Sequence, residues 1–294
     1  MFQNHKPQTT NHKHQTPNHK QQTYMKKTFL HLPVALFAFV ILYVSGCSVN
    51  KAKIDNDLKS FFDDKKVEGC FTMLDNATGE ITVYNMGLDT MRFLPAETFD
   101  VLNGMIALHA GVLTDEKMNL NISNLDSNNA SKSLNITEAF KTNSLAFFTQ
   151  VAKNIGHDTL QSWVDSVSYG NKKLGEQVDQ SWINNTIKIS PDEQLGFMKR
   201  LYFEQLPFRK SVQTSMKELM VVNDNTDYKL SYKTGSGKNE KNENIGWMIG
   251  WIEENRHVYF FVTLLKSNKE QVNKNNVEIT NSILSHYGFF KGKK

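Results

Sequence analysis

Arg92-Phe93-Leu94-Pro95-Ala96-Glu97-Thr98-Phe99-Asp100 leads into an apolar-periodic run that continues to Ala110 and stops at Gly111. Pro95 has a fixed φ and no N–H, so it suits the approach to a helix. Gly111 suits the end, where a left-handed residue closes the last turn. The spacing therefore predicts a helix over 99–110. Glu97 and Asp100 stand one turn apart at its N-terminal end. Two carboxylates so placed can share a divalent cation or act as an acid/base pair. No further metal ligand is evident, and no cofactor is expected.

Working outward, Phe71-Thr72-Met73-Leu74 and Ile81-Thr82-Val83-Tyr84 flank a turn-rich Asp75-Asn76-Ala77-Thr78-Gly79-Glu80, which predicts a β-hairpin. Residues 135–205 read as mostly helical, with Leu145, Phe148, Val151, Ala152 and Ile155 at helical spacing. Residues 228–233, 245–253 and 257–265 read as strands, the last two as a hairpin, and a helix over 276–287 closes the chain. Strands at both ends of a helical middle predict an α/β (α+β) fold: an antiparallel sheet flanked by helices, with an inserted helical lobe. Gly235 and Gly237 are too sparse for a phosphate-binding loop.

The 294 residues, 39% hydrophobic and 11% aromatic, suffice for a real core. The net charge of +4 is modest, and much of the basic excess lies at the ends, including the Lys291-Gly292-Lys293-Lys294 tail. No clustered basic face is visible, so a nucleic-acid partner is not expected.

The first residues read as an address. Residues 1–24 repeat Asn-His-Lys at Asn4, Asn11 and Asn18 with no apolar heptad, a polar low-complexity leader. Met25 opens a better start, with Lys26-Lys27 followed by the apolar stretch Phe29 to Val44 and then Val44-Ser45-Gly46-Cys47. That order is similar to a lipoprotein signal peptide over 25–47, ending in a Cys47 whose thiol would carry diacylglycerol. It implies export to a bacterial cell envelope and a membrane partner through the Cys47 anchor; Ser48 is compatible with the outer membrane. Residues 48–60 read as a tether and 61–294 as the folded domain. Cys70, left without a partner, reads as a small buried apolar residue.

Four residue sets resemble one family. They are Val67-Glu68-Gly69-Cys70-Phe71; the Arg92–Ala96 approach with the helix after it; Ser144-Leu145-Ala146 with the later Tyr169-Gly170-Asn171; and Lys233-Thr234-Gly235 with Gly246-Trp247-Met248-Ile249-Gly250-Trp251. In order and spacing they resemble class D β-lactamases and the related penicillin-sensing domains, a serine β-lactamase/transpeptidase-like fold, from about Phe61 to the C-terminus.

That resemblance implies acyl transfer by a serine at the helix start, with a lysine three residues later, carbamylated, as the base. Here Glu97 stands at the serine position and Asp100 at the lysine position. The resemblance further implies Ser144 as the proton-shuttling serine, Trp182 as the tryptophan over the lysine, and Lys233 as the cation on the neighbouring strand. Thr234, Gly235 and Ser236 line the pocket. By the same resemblance the backbone N–H groups of Glu97 and Ser236 would form the oxyanion hole, and Asn276 would stand in the place of a carboxylate-binding arginine. Glu97 is expected to pair with Lys233. A carboxylate attacking an amide would give a mixed anhydride, a poor intermediate. The expected function is therefore a non-hydrolytic binding or scaffolding module, with a peptidoglycan peptide, a β-lactam or a protein as ligand. The alternative is a β-lactamase or related amide or ester hydrolase with a rearranged site around Glu97 and Asp100.

Overall fold

The computed structural model describes residues 52–122, 132–268 and 271–294. The leader, the signal segment, Cys47 and the start of the tether lie outside the described residues. In chain order the elements are β1 (Ala52–Ile54), α1 (Lys59–Lys65), β2 (Glu68–Asp75), β3 (Ile81–Tyr84), the one-turn α2 (Met86–Asp89), α3 (Asp100–Ala110), β4 (Leu120–Ile122), β5 (Lys132–Leu134), α4 (Ile136–Lys141) and α5 (Leu145–Ile155). They continue with α6 (His157–Ser166), α7 (Pro191–Tyr202), α8 (Lys210–Leu219), β6 (Val221–Asp224), β7 (Tyr228–Lys238), β8 (Asn244–Glu254), β9 (His257–Ser267) and α9 (Val272–His286).

Seven strands form one sheet in the order β1-β3-β2-β9-β8-β7-β6. All neighbours are antiparallel except β1 and β3. The two expected hairpins are present, Phe71 facing Tyr84 in one and Ile249 facing Val262 in the other. Period-two alternation gives the sheet two apolar faces. Trp247, Ile249, Trp251, Phe260, Val262 and Leu264 point into a core shared with α3, α5 and α7. Met248, Ile252, Phe261 and Leu265 point the other way, into a second core with Phe62 of α1 and Ile279 and Ile283 of α9. The result is a sheet between helical layers, with the helical middle of the chain on one side. Helix α3 is buried from Asp100 through Leu108 because it lies inside that layer. Gly111 (φ +75°) closes it in the left-handed region.

The closing helix starts at Val272, four residues before its expected start, and two further boundaries differ from the sequence expectation. The fold is already under way at Ala52, where β1 lies beside β3, and Leu58 in the supposed tether is fully buried. One apolar residue among charged neighbours leaves no periodic trace, so Phe61 was too late a start. Strand β7 runs to Lys238 instead of stopping at Lys233, because Gly235 and Gly237 pair with Trp247 and Ile245 of β8.

Candidate active site

The turn before α3 is fixed by bonds from three directions. Phe93 and Ile189 exchange backbone hydrogen bonds of 3.0 and 2.8 Å, Trp247 Nε1 donates to the Leu94 carbonyl at 2.8 Å, and the Ala96 N–H donates to the Trp182 carbonyl at 3.1 Å. Thr98 Oγ1 donates to the Pro95 carbonyl at 2.6 Å and accepts from Gln194 Nε2 at 2.9 Å. Within this frame Ala96 has φ +48°. A residue with a Cβ pays about 1–2 kcal/mol there, and such strain persists only where neighbours hold it. Gly235 completes the frame. A Cβ on it would lie 2.9 Å from the Glu97 nitrogen and 2.8 Å from that of Thr98, so only glycine lets β7 come this close.

Lys233 and Ile249 face each other across β7 and β8, so the lysine points into the layer that holds α3. Its ammonium, 3% exposed, donates to the Phe140 carbonyl at 2.8 Å and to Asn143 Oδ1 at 2.7 Å. It lies 3.2 Å from Asp100 Oδ2 and 4.0 Å from the Phe140 ring centroid. The Asp100 contact is an ion pair and not a well-directed hydrogen bond. Burial pushes the Asp100 carboxyl up to about 7, against the pull of the Lys233 charge. Burial likewise lowers Lys233, against the pull of Asp100. Each partner of this pair limits the cost of burying the other.

The partner of Lys233 is thus Asp100, and the expected Glu97–Lys233 pair is replaced by a different arrangement. Glu97 Oε2 accepts from the Ser236 backbone N–H at 2.6 Å. The Glu97 backbone N–H also acts on the same carboxylate. Burial raises the Glu97 carboxyl above its ordinary range, and the two amides and Lys233 oppose that rise. The lysine has closer acceptors, so the amides are left to hold the glutamate.

The other expected residues divide. Ser144 caps α5, accepting from the Phe147 N–H at 3.4 Å, and makes no hydrogen bond to Lys233. Asn143, one residue earlier with φ +51°, takes the position expected of it, reaching Lys233 and, through a long 3.4 Å bond, Thr234 Oγ1. A serine before an apolar helix is a capping signal, and reading it so would have turned Asn143 inward. Asn276 is also displaced. It is fully buried in α9, where its Nδ2 donates to the Thr263 carbonyl at 3.2 Å. Asn273, one turn earlier, reaches Ser236 Oγ at 2.9 Å and lines a cavity of about 330 Å³ with Ser236, Gly237 and Lys238. Trp182 is fully buried and stacked on Phe99 at 5.3 Å, its Nε1 without a partner among the described residues. The Gln194 amide, bonded to Thr98 and to Tyr169 Oη at 3.2 Å, gave no sign of its role in the sequence.

Known proteins resemble this chain in sequence and in fold. The family described as the penicillin binding protein transpeptidase domain matches residues 69–285. Beta-lactamase OXA-5 of Pseudomonas aeruginosa is 26% identical over 88% of this chain and 98% of its own length. Probable beta-lactamase YbxI of Bacillus subtilis is 28% identical over 82% of this chain and 86% of its own. Among solved structures, a class D beta-lactamase from Sebaldella termitidis superposes with a TM-score of 0.75 at 29% identity, covering 81% of this chain and 98% of that one. With its sheet, its strained turn and its Lys233-Thr234-Gly235 strand, the chain belongs to the penicillin-binding transpeptidase domain family and is homologous to the class D β-lactamases.

Proposed function

We propose that this chain is a lipid-anchored envelope protein whose class D-like domain binds or scaffolds instead of hydrolysing. The observation that carries this reading is the side chain at the start of the reactive turn: a carboxylate, seated 2.6 Å from the Ser236 amide nitrogen. It offers no hydroxyl to attack a carbonyl, and the adjacent Thr98 hydroxyl is buried and committed to the Pro95 carbonyl. Catalysis in this family's manner needs an empty pair of amide donors aimed at a developing oxyanion; here the Ser236 amide already donates to a side chain of the protein. The Val44-Ser45-Gly46-Cys47 stretch supports anchorage through Cys47 at a bacterial envelope, the outer membrane being the destination most compatible with Ser48. A peptidoglycan peptide or a protein would be the bound partner, or a β-lactam held without its carbonyl on the Ser236 amide.

A second reading, a hydrolase of amide or ester bonds, has an observation in its favour. Asp100 is pushed up to about 7, a suitable value for a general base at neutral pH. Against it, Asp100 is 1% exposed and lies against Lys233. Incubating the detergent-purified full chain with a chromogenic cephalosporin and a fluorescent penicillin separates the two. Neither turnover nor label is expected. Turnover that vanishes in Glu97→Ala would establish the hydrolase, and a covalent label would reveal a surviving nucleophile.

A further inference from the structure

We propose that Glu97 makes this domain a permanent mimic of an acylated serine. In an acyl-serine the chain runs from Cβ through the ester oxygen to a carbonyl carbon, whose oxygen sits between the two amide donors of the hole. In glutamate it runs from Cβ through Cγ to Cδ, which bears Oε1 and Oε2. The number of bonds is the same. A methylene replaces the ester oxygen, and the second carboxylate oxygen replaces the first atom of the acyl group. The contact observed follows this correspondence: Oε2 accepts from the Ser236 amide at 2.6 Å, and the Glu97 amide favours the charged form of the same carboxyl. No bond is made or broken in reaching this state.

The second substitution fits the first. With Asp100 at the next turn, Lys233 is drawn to 3.2 Å from that carboxylate and to Asn143 and the Phe140 carbonyl. Glu97 is therefore oriented by the hole and not pulled off it by the ammonium. The cleft is held in its ligand-occupied form with no ligand, and a lactam carbonyl arriving there finds its seat taken. This inference rests on the reading that Glu97 does not react, but it is tested on a different observable, the Ser236 amide.

Hydrogen exchange of the full chain, read on fragments spanning Lys233 to Lys238, reports that amide. Glu97→Gln keeps a carbonyl oxygen at the same bond count and is expected to leave Ser236 protected as in the wild type. Glu97→Ala removes the acceptor, and exchange at Ser236 should accelerate at least about tenfold. Acetate is the two-carbon fragment that this truncation deletes. It should restore protection to Glu97→Ala in a dose-dependent way, while equal chloride does not. Unchanged protection in Glu97→Ala, acetate acting no better than chloride, or loss of protection in Glu97→Gln would each overturn the proposal. If Glu97→Ala does not fold, the glutamine variant alone decides it.

Discussion

Lys233 has three partners, Asp100 on one helix and Phe140 and Asn143 together at the end of another, and the consequences of that are specific. Removing one member of a buried ion pair leaves the other uncompensated, typically costing about 3–5 kcal/mol, whereas replacing both with apolar groups is often neutral or better. Asp100→Leu and Lys233→Met should each lower stability by that order, and the double variant should recover most of the loss, as measured by urea denaturation. A second buried carboxylate, Asp89, accepts from Thr72 Oγ1 and is pushed up to about 6 by burial. Its folded value lies above the unfolded value of about 3.9. The stability it allows is therefore complete below about pH 4 and is lost as pH rises through about 6, a loss of roughly 2–3 kcal/mol. Asp89→Asn, which keeps an acceptor for Thr72, should flatten that window and be the more stable form at pH 7. The sequence singled out Glu97, Asp100 and Lys233 but paired the wrong two. Two carboxylates a single turn apart are both within a lysine's reach, and the choice between them is made by Phe140 and Asn143, remote in sequence.

Elements are legible where a period runs through them. The β2–β3 and β8–β9 hairpins and α3 all follow from alternation or helical spacing with a turn or glycine at the end. Thr234-Gly235-Ser236-Gly237 has no such alternation, so the second half of β7 exists only through its pairing with β8. The start of α5 shows how a shift of one residue changes a site. Ser144 acts on the helix and Asn143 on the cleft, which gives two separable outcomes. Ser144→Ala should cost about 1 kcal/mol, the usual value of an N-cap, and leave the cleft's ligand affinity unaltered. Asn143→Ala should cost the ammonium of Lys233 one acceptor and raise the exchange of amides around it. Calorimetry and hydrogen exchange on the two variants check the assignment.

For the whole molecule, the sheet is stable because both faces are covered, and its N-terminal edge is part of that arrangement. Chains begun at Ala52 and at Phe61 differ by β1 and by the fully buried Leu58. Losing that leucine's burial alone is worth about 1.5–3 kcal/mol, and the outer edge of β3 is opened to pairing with other chains. The shorter chain should have a urea midpoint lower by about 1 M and should aggregate at concentrations where the longer one stays monodisperse. The layered class was readable from strands placed around a helical middle. The β1 pairing was not, since three exposed residues carry no pattern that distinguishes an edge strand from a linker.

The turn at Ala96 bears on how such a protein can change over generations. Its backbone requirement falls on the residues around position 97 and not on 97 itself. Position 96 must accept φ +48°, which suits alanine, glycine or asparagine far better than a β-branched side chain, and position 235 must lack a Cβ. Position 97 takes no part in the bonds that fix the turn, so the frame sets little condition on its side chain. The side chain that faces the two amides is thus one whose identity the fold constrains little, and the same turn can carry a serine or a glutamate at position 97 without rebuilding its neighbours.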